Sequence, residues 1–165
     1  MRVRVRRAEP DDLGAVVAFG SAVVPPHYAP ILGHRGAQAQ LGWWTAEQLA
    51  PALAAGRVHL AETETGTGTE LVGVCQTGEL DGQQVIWKLY VAPDHRGRSL
   101  GVELLQQAVA ALPQGAESVH VEHFAGNAGA ARFYEREGFE VVRTDPPSPG
   151  GSPGSAVVWR RRRLR

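Results

Sequence analysis

Residues 85–105, VIWKLYVAPDHRGRSLGVELL, pass from an apolar strand through a short loop bearing arginine and glycine directly into an amphipathic helix. That order builds an anion site. The first turn of a helix has amide donors without internal partners, and its dipole adds partial positive charge, so main chain alone can hold a phosphate. Gly97 and Gly101 lack a Cβ, which permits a sharp turn and close approach by a ligand. Arg96 and Arg98 add charge-assisted donors suited to phosphate oxygens. Leu100, Leu104, Leu105, Ala108, Val109 and Leu112 recur at helical spacing before Pro113 stops the helix. On its own the segment fits an ordinary strand-to-helix turn with solvated arginines equally well. It is neither of the common nucleotide signatures. Val102 and Glu103 follow Gly101 where a P-loop needs Lys and Ser or Thr, and a dinucleotide fingerprint needs a third glycine.

A second segment, 118–142, reads SVHVEHFAGNAGAARFYEREGFEVV. It spells a strand, a turn at Gly126, a helix from about Asn127, a stop at Gly138 and a further strand. Asn127 is a good N-cap and Gly138 a good residue just past a helix end. Together the two segments resemble motifs A and B of the GNAT superfamily of acyl-CoA-dependent N-acyltransferases. In motif A, Arg/Gln-x-x-Gly-x-Gly/Ala binds the coenzyme A pyrophosphate; Arg96 and Gly101 match its ends, while Ser99 stands where the middle glycine usually is. Motif B is a strand followed by Asn, Ala, an aromatic-Tyr pair, an acidic residue and Gly-Phe.

The resemblance implies an α/β (α+β) GNAT fold. Its central sheet is mixed and mostly antiparallel, with six to seven strands and helices on both faces. It also implies acetyl-CoA as acyl donor and direct attack of a primary amine on the thioester, the amine belonging to a small molecule, a peptide or a protein N-terminus. A non-catalytic acyl-CoA binding or sensing module of the same fold is the alternative. Arg96, Gly97, Arg98, Ser99, Leu100 and Gly101 would cradle the pyrophosphate, main chain of Leu89, Tyr90 and Val91 the pantetheine and thioester oxygen, and Asn127 the pantetheine arm. Tyr134 matches the family tyrosine that protonates the departing thiolate, and Phe133 reads as packing. Glu122 stands at the strand position of a general-base glutamate in some members, and equally suits a solvated or ion-paired carboxylate. By strand alternation it shares a face with His120 and Phe124, opposite Val119, Val121 and His123. His120, His123, Glu79 or water are lesser choices of base. The acceptor region, PPHYAPILGHRGAQAQLGWW, offers His27, Tyr28 and Arg35 as substrate residues, whereas Trp43 and Trp44 read as core anchors.

The remaining chain reads as strand 2–7, helix 11–23, an irregular or helical stretch 27–42, helix 45–55 and strands 57–63, 70–78 and 84–91. Helix 99–111, strand 117–124, helix 127–136 and strands 139–144 and 155–163 follow, with a hairpin signal at Asp81-Gly82. Length and a hydrophobic share of 43% suit one domain over residues 1–165, with Pro/Gly/Ser-rich 145–154 as a flexible surface loop. A formal net charge of zero gives no global pull toward nucleic acid or anionic membrane, and the run Arg160–Arg163 reads as a solvated edge strand. Cys75 is the only cysteine, excluding an intrachain disulfide; it reads as a small buried residue. The apolar stretch 13–24 is too short to span a bilayer and ends at Pro25-Pro26, and residues 1–7 lack the apolar core of a signal peptide. A cytoplasmic monomer or homodimer without a metal is expected, since the six histidines show no zinc-ligand spacing.

Overall fold

The computed structural model describes residues Arg2–Leu164. In chain order the elements are β1 (Val3–Arg7), α1 (Leu13–Ala39), α2 (Ala46–Ala54), β2 (Val58–Thr65), β3 (Gly68–Leu80), β4 (Gln83–Val91), α3 (Leu100–Ala110), β5 (Ser118–Phe124), α4 (Ala128–Arg136), β6 (Glu140–Asp145) and β7 (Val157–Arg163). All seven strands join one sheet in the order β1-β2-β3-β4-β5-β7-β6. Each neighbouring pair is antiparallel except β4 and β5, which are parallel because α3 crosses over between them. Asp81 and Gly82 take positive φ, 52° and 78°, so that Leu80 pairs with Gln83 across a two-residue turn.

Two cores flank the sheet. Val16, Phe19, Val23 and Val24 of α1 and Leu49 and Leu53 of α2 pack with Val58, Leu60 and Val74 on one face. On the other, Leu100, Leu104 and Leu105 of α3 and Tyr134 of α4 pack with Val72, Cys75, Ile86, Val119 and Val121. The β5 alternation is as expected, with Val119, Val121 and His123 inward.

The first helix departs from expectation. It runs on through Pro25, Pro26 and Pro30 and breaks only at Gly33, where φ is 75° and ψ is 171°. The three prolines lie off the buried face, and the carbonyls deprived of a donor, those of Ser21, Ala22 and Pro26, belong to exposed residues. Water can satisfy them, so the helix survives. The stretch Pro10–Trp44 is thereby long and apolar enough to cross a membrane by length and composition, yet Val16, Phe19, Val23, Val24 and Tyr28 face the sheet. Residues 145–154 end in a short 3-10 turn, Pro153–Ser155, in which the Gly154 carbonyl accepts the Gly126 N–H at 2.9 Å.

Candidate active site

The site begins with missing strand pairing. β4 and β5 pair only through Gln84, Val85 and Ile86 with Val119, His120 and Val121. Past that point the strands part, β4 following β3 and β5 following β7. A bulge marks the place: Gln76 pairs with Lys88 and Thr77 with Ile86, leaving Trp87 as the extra residue of β4. The Ala92 N–H donates to the Val72 carbonyl at 2.8 Å, so by antiparallel alternation Tyr90 and Lys88 also bond to β3. The main-chain donors facing the gap are therefore those of Leu89 and Val91; Tyr90, expected as a third, is committed to β3. The Val91 carbonyl accepts from Arg96 Nε at 3.2 Å, which ties the following loop to the gap.

A cavity of about 620 Å3 fills this gap. Its wall includes Leu89, Tyr90, Val91, Arg96, Gly97, Ser99, Leu100, Gly101 and Asn127, with Glu122 and Tyr134. Gly97 has φ 76° and open space where a Cβ would stand, while a Cβ on Gly101 would meet the Phe133 ring at 3.3 Å. Ser99 also adopts the left-handed region, φ 63°, and its side chain does not cap α3. The position thus has a backbone conformation that glycine adopts most readily, and the first amides of α3 remain uncapped. His95, not singled out from the sequence, lines the same cavity with a buried Nδ1 that has no hydrogen-bond partner. An uncapped helix start, an open glycine and an orphaned imidazole nitrogen fit a pyrophosphate group. Arg98 is exposed and lines neither this cavity nor the next one.

Asn127 Oδ1 caps α4 through the Ala130 N–H at 3.1 Å, and its Nδ2 lies 3.2 Å from His27 Nε2. Burial, and then the Arg96 charge, push the His27 pKa down, so the neutral ring accepts from Asn127. His27, expected as a substrate residue, thus lines this first cavity and not the second one described next.

A second cavity, about 340 Å3, adjoins the first and shares with it Tyr28, Trp87, Lys88, Tyr90, Glu122 and His123. The Tyr28 and Tyr90 hydroxyls are 2.5 Å apart, and Trp44 stands edge-on to Tyr90 at 5.4 Å between centroids. Trp44 is buried, as expected, but Trp43 is 60% exposed at the rim of this cavity rather than anchored in the core. The turn Gln40–Trp44 points consecutive tryptophans to different sides. Arg35 is exposed and lines neither cavity, because it follows the Gly33 break. Lys88 went unrecognised in the sequence as more than a strand residue; its Nζ donates to Gln76 Oε1 at 2.7 Å and lies 5.2 Å from the Trp44 ring centroid.

The electrostatics divide the candidate acids and bases. Glu122 keeps an exposed side chain at the cavity wall; partial desolvation there, reinforced by Asp145 and opposed by Arg143, raises its carboxyl above the ordinary carboxylate range. Burial raises the Tyr134 phenol far above its usual value, keeping it protonated. His123 Nδ1 lies 2.9 Å from the Phe124 carbonyl and its Nε2 accepts from Arg160 Nε at 3.0 Å, so it has no lone pair left to act as a base. Its ring stacks on Tyr134 at 6.2 Å between centroids, with 14° between planes. Glu79 binds Arg57 and Gln84, and neither it nor His120 lines either cavity. Cys75 lies outside both as well, its thiol pushed up to about 12 by burial. Among the described residues no cluster of three or more metal-ligating side chains is present.

The Acetyltransferase (GNAT) domain model matches residues 54–141. The fold is similar to that of the PaiA N-acetyltransferase from Thermoplasma acidophilum, solved in complex with coenzyme A, with a TM-score of 0.83 and 17% identity over 99% of this chain and 100% of that one. Ard1 from Thermoplasma volcanium superposes with a TM-score of 0.73 and 16% identity, covering 100% and 99% of the two chains. The ribosomal-protein-S18-alanine N-acetyltransferase from Escherichia coli gives 0.68 and 18%, covering 99% and 94%. No curated protein matches by sequence. Because the family match takes in more than half of the residues, including the parted strands, the loop of residues 96–101 and the helix bearing Tyr134, the chain belongs to the GNAT acetyltransferases.

Proposed function

We propose that this protein is a cytoplasmic acetyl-CoA-dependent N-acetyltransferase in which a primary amine attacks the thioester directly. The observation that carries this reading is the junction of the two cavities: Glu122 belongs to both, and Tyr134 stands in the wall of the one that has the phosphate-suited loop. Acetyl-CoA, a substrate rather than a resident group, supplies the acyl thioester. Leu89 and Val91 offer main-chain donors for its oxygens, and residues 96–101 with the start of α3 offer donors for its pyrophosphate. Glu122, with its raised pKa, takes a proton from the acceptor ammonium at a pH where an ordinary carboxylate would be a weak base. A C–N bond forms as the C–S bond breaks and the Tyr134 hydroxyl donates to the sulfur; the nitrogen's second proton restores Tyr134 by way of solvent, and Glu122 releases the first. The net reaction turns an ammonium and a thioester into an amide, a thiol and one released proton.

Calorimetric titration with acetyl-CoA, paired with thiol release over a panel of primary amines, tests the reading. Expected are binding and amine-dependent thiol release that Tyr134→Phe slows by about 100-fold or more. Binding without release, unchanged by that substitution, would instead support a non-catalytic acyl-CoA module. Absence of binding would sink both.

A further inference from the structure

The second cavity holds one carboxylate and one ammonium that are not paired with each other. Among the described residues Lys88 makes no ion pair, and neither does Glu122. Lys88 is buried, 7% exposed, and is the one lysine in a chain whose other 16 basic residues are arginines. A buried ammonium without an anionic partner is costly. Gln76 takes one of its three N–H donors, and its other recorded contact is the face of Trp44. His123 adds no positive charge to the cavity, since both ring nitrogens are committed and burial lowers its pKa. Around the two charges stand the rings of Trp43, Trp44, Trp87, Tyr28, Tyr90 and Phe124. The exposed face of Trp43 is not accounted for by packing. At about 340 Å3 the cavity sits near the small end of ligand pockets, which span about 300–1,000 Å3, a size suited to one compact molecule.

We infer that the acceptor is a zwitterionic amine with an aromatic body, an aromatic amino acid or a close relative, whose carboxylate is received by Lys88 and whose amino group is received by Glu122. The inference rests on the acyltransferase reading. Lys88 then acts as a specificity residue: it selects for the carboxylate and holds the molecule so that its nitrogen lies beside Glu122, at the mouth of the cofactor cavity. Its lowered pKa, about 8, still leaves it mostly protonated at neutral pH. An arriving carboxylate would supply the missing anion, and a charge-assisted bond of this kind separates matched ligands by about tenfold or more.

The test compares matched pairs, tryptophan against tryptamine and phenylalanine against phenethylamine, by kcat/KM for thiol release from acetyl-CoA. The wild-type protein should favour the carboxylate-bearing member by about tenfold or more. Lys88→Met, which keeps the aliphatic stem against Trp44, and Lys88→Gln, which keeps a donor for Gln76, should both bring that ratio toward one. A second readout needs neither turnover nor a folded variant: 3-phenylpropanoate should quench tryptophan fluorescence of the wild-type protein saturably, and 3-phenylpropanol should do so far less. A wild-type preference for the decarboxylated amines, a ratio that survives both substitutions, or equal quenching by the acid and the alcohol would overturn the proposal. Failure of acetyl-CoA to bind would strike at the acyltransferase reading instead, and the fluorescence comparison would still decide whether the cavity selects a carboxylate.

Discussion

At the scale of single residues, local surroundings set the protonation of the two side chains proposed as acid and base. Tyr134 packs against His123, Phe133 and Phe139 and is kept protonated by its surroundings, so Tyr134→Phe removes a proton and little volume. We expect kcat to fall by about 100-fold or more while the dissociation constant of coenzyme A changes little; equal turnover would remove Tyr134 as the acid. Glu122 works in the opposite direction. As a base it must be ionised, and partial desolvation shifts that ionisation to higher pH, so kcat/KM should fall as pH drops through a value above the usual carboxylate range. Glu122→Gln should lower the rate and erase that acid limb, and a pH profile of the same shape would return Glu122 to a structural role. That Tyr134 and Glu122 both stand in the wall of the larger cavity was legible in the sequence from their motif positions. Lys88 was not, since its burial depends on Trp44, which arrives from a turn more than forty positions earlier in the chain.

At the scale of elements, strand and helix order was readable almost throughout because period and punctuation agree: Asp81-Gly82 makes its turn, Asn127 caps α4, and Gly138 ends it with φ 87°. One exception is β7, whose run Arg160–Arg163 reads as a solvated edge yet lies between β5 and β6 with Arg160 buried; the other is α1, where three prolines argue for a break that does not occur. Proline's cost depends on whether the orphaned carbonyl meets water, and that depends on which face the sheet covers. The same helix bears on the second cavity through Gly20, because a Cβ there would fall into the ring of Trp44. Gly20→Ala should therefore lose about 1–3 kcal/mol of stability in urea titration and raise the acceptor KM, despite alanine's better helix propensity. Gly14→Ala serves as the control; no atom lies within 4 Å of a Cβ there, and it should stabilise by about 0.5–1 kcal/mol. If both variants gain stability, the close approach of Gly20 to Trp44 is not a constraint.

At the scale of the whole molecule, Lys88 leaves a signature in stability. Its pKa falls from 10.5 to about 8 on folding because burial disfavours the charge, so between those values the unfolded chain binds more protons than the folded one. The sign follows: stability rises with pH across that window, and the burdened state lies below about pH 8. The unfolding free energy of the wild type minus that of Lys88→Met should climb by up to about 3 kcal/mol from pH 7 to pH 10.5. A flat difference would show that the ammonium is solvated after all. The parting of β4 from β5 also divides the hydrogen-bonded sheet into β1–β4 and β5-β7-β6, joined by three residue pairs. Each half can open with some independence, and amide exchange should report two protection levels rather than one. A donor substrate spanning the gap would act as a missing rung, slowing exchange at Leu89 and Val91 and also in β6, which lies two strands beyond β5 and outside the cavity walls. The cleft would then make the cooperativity of the molecule a property of its liganded state.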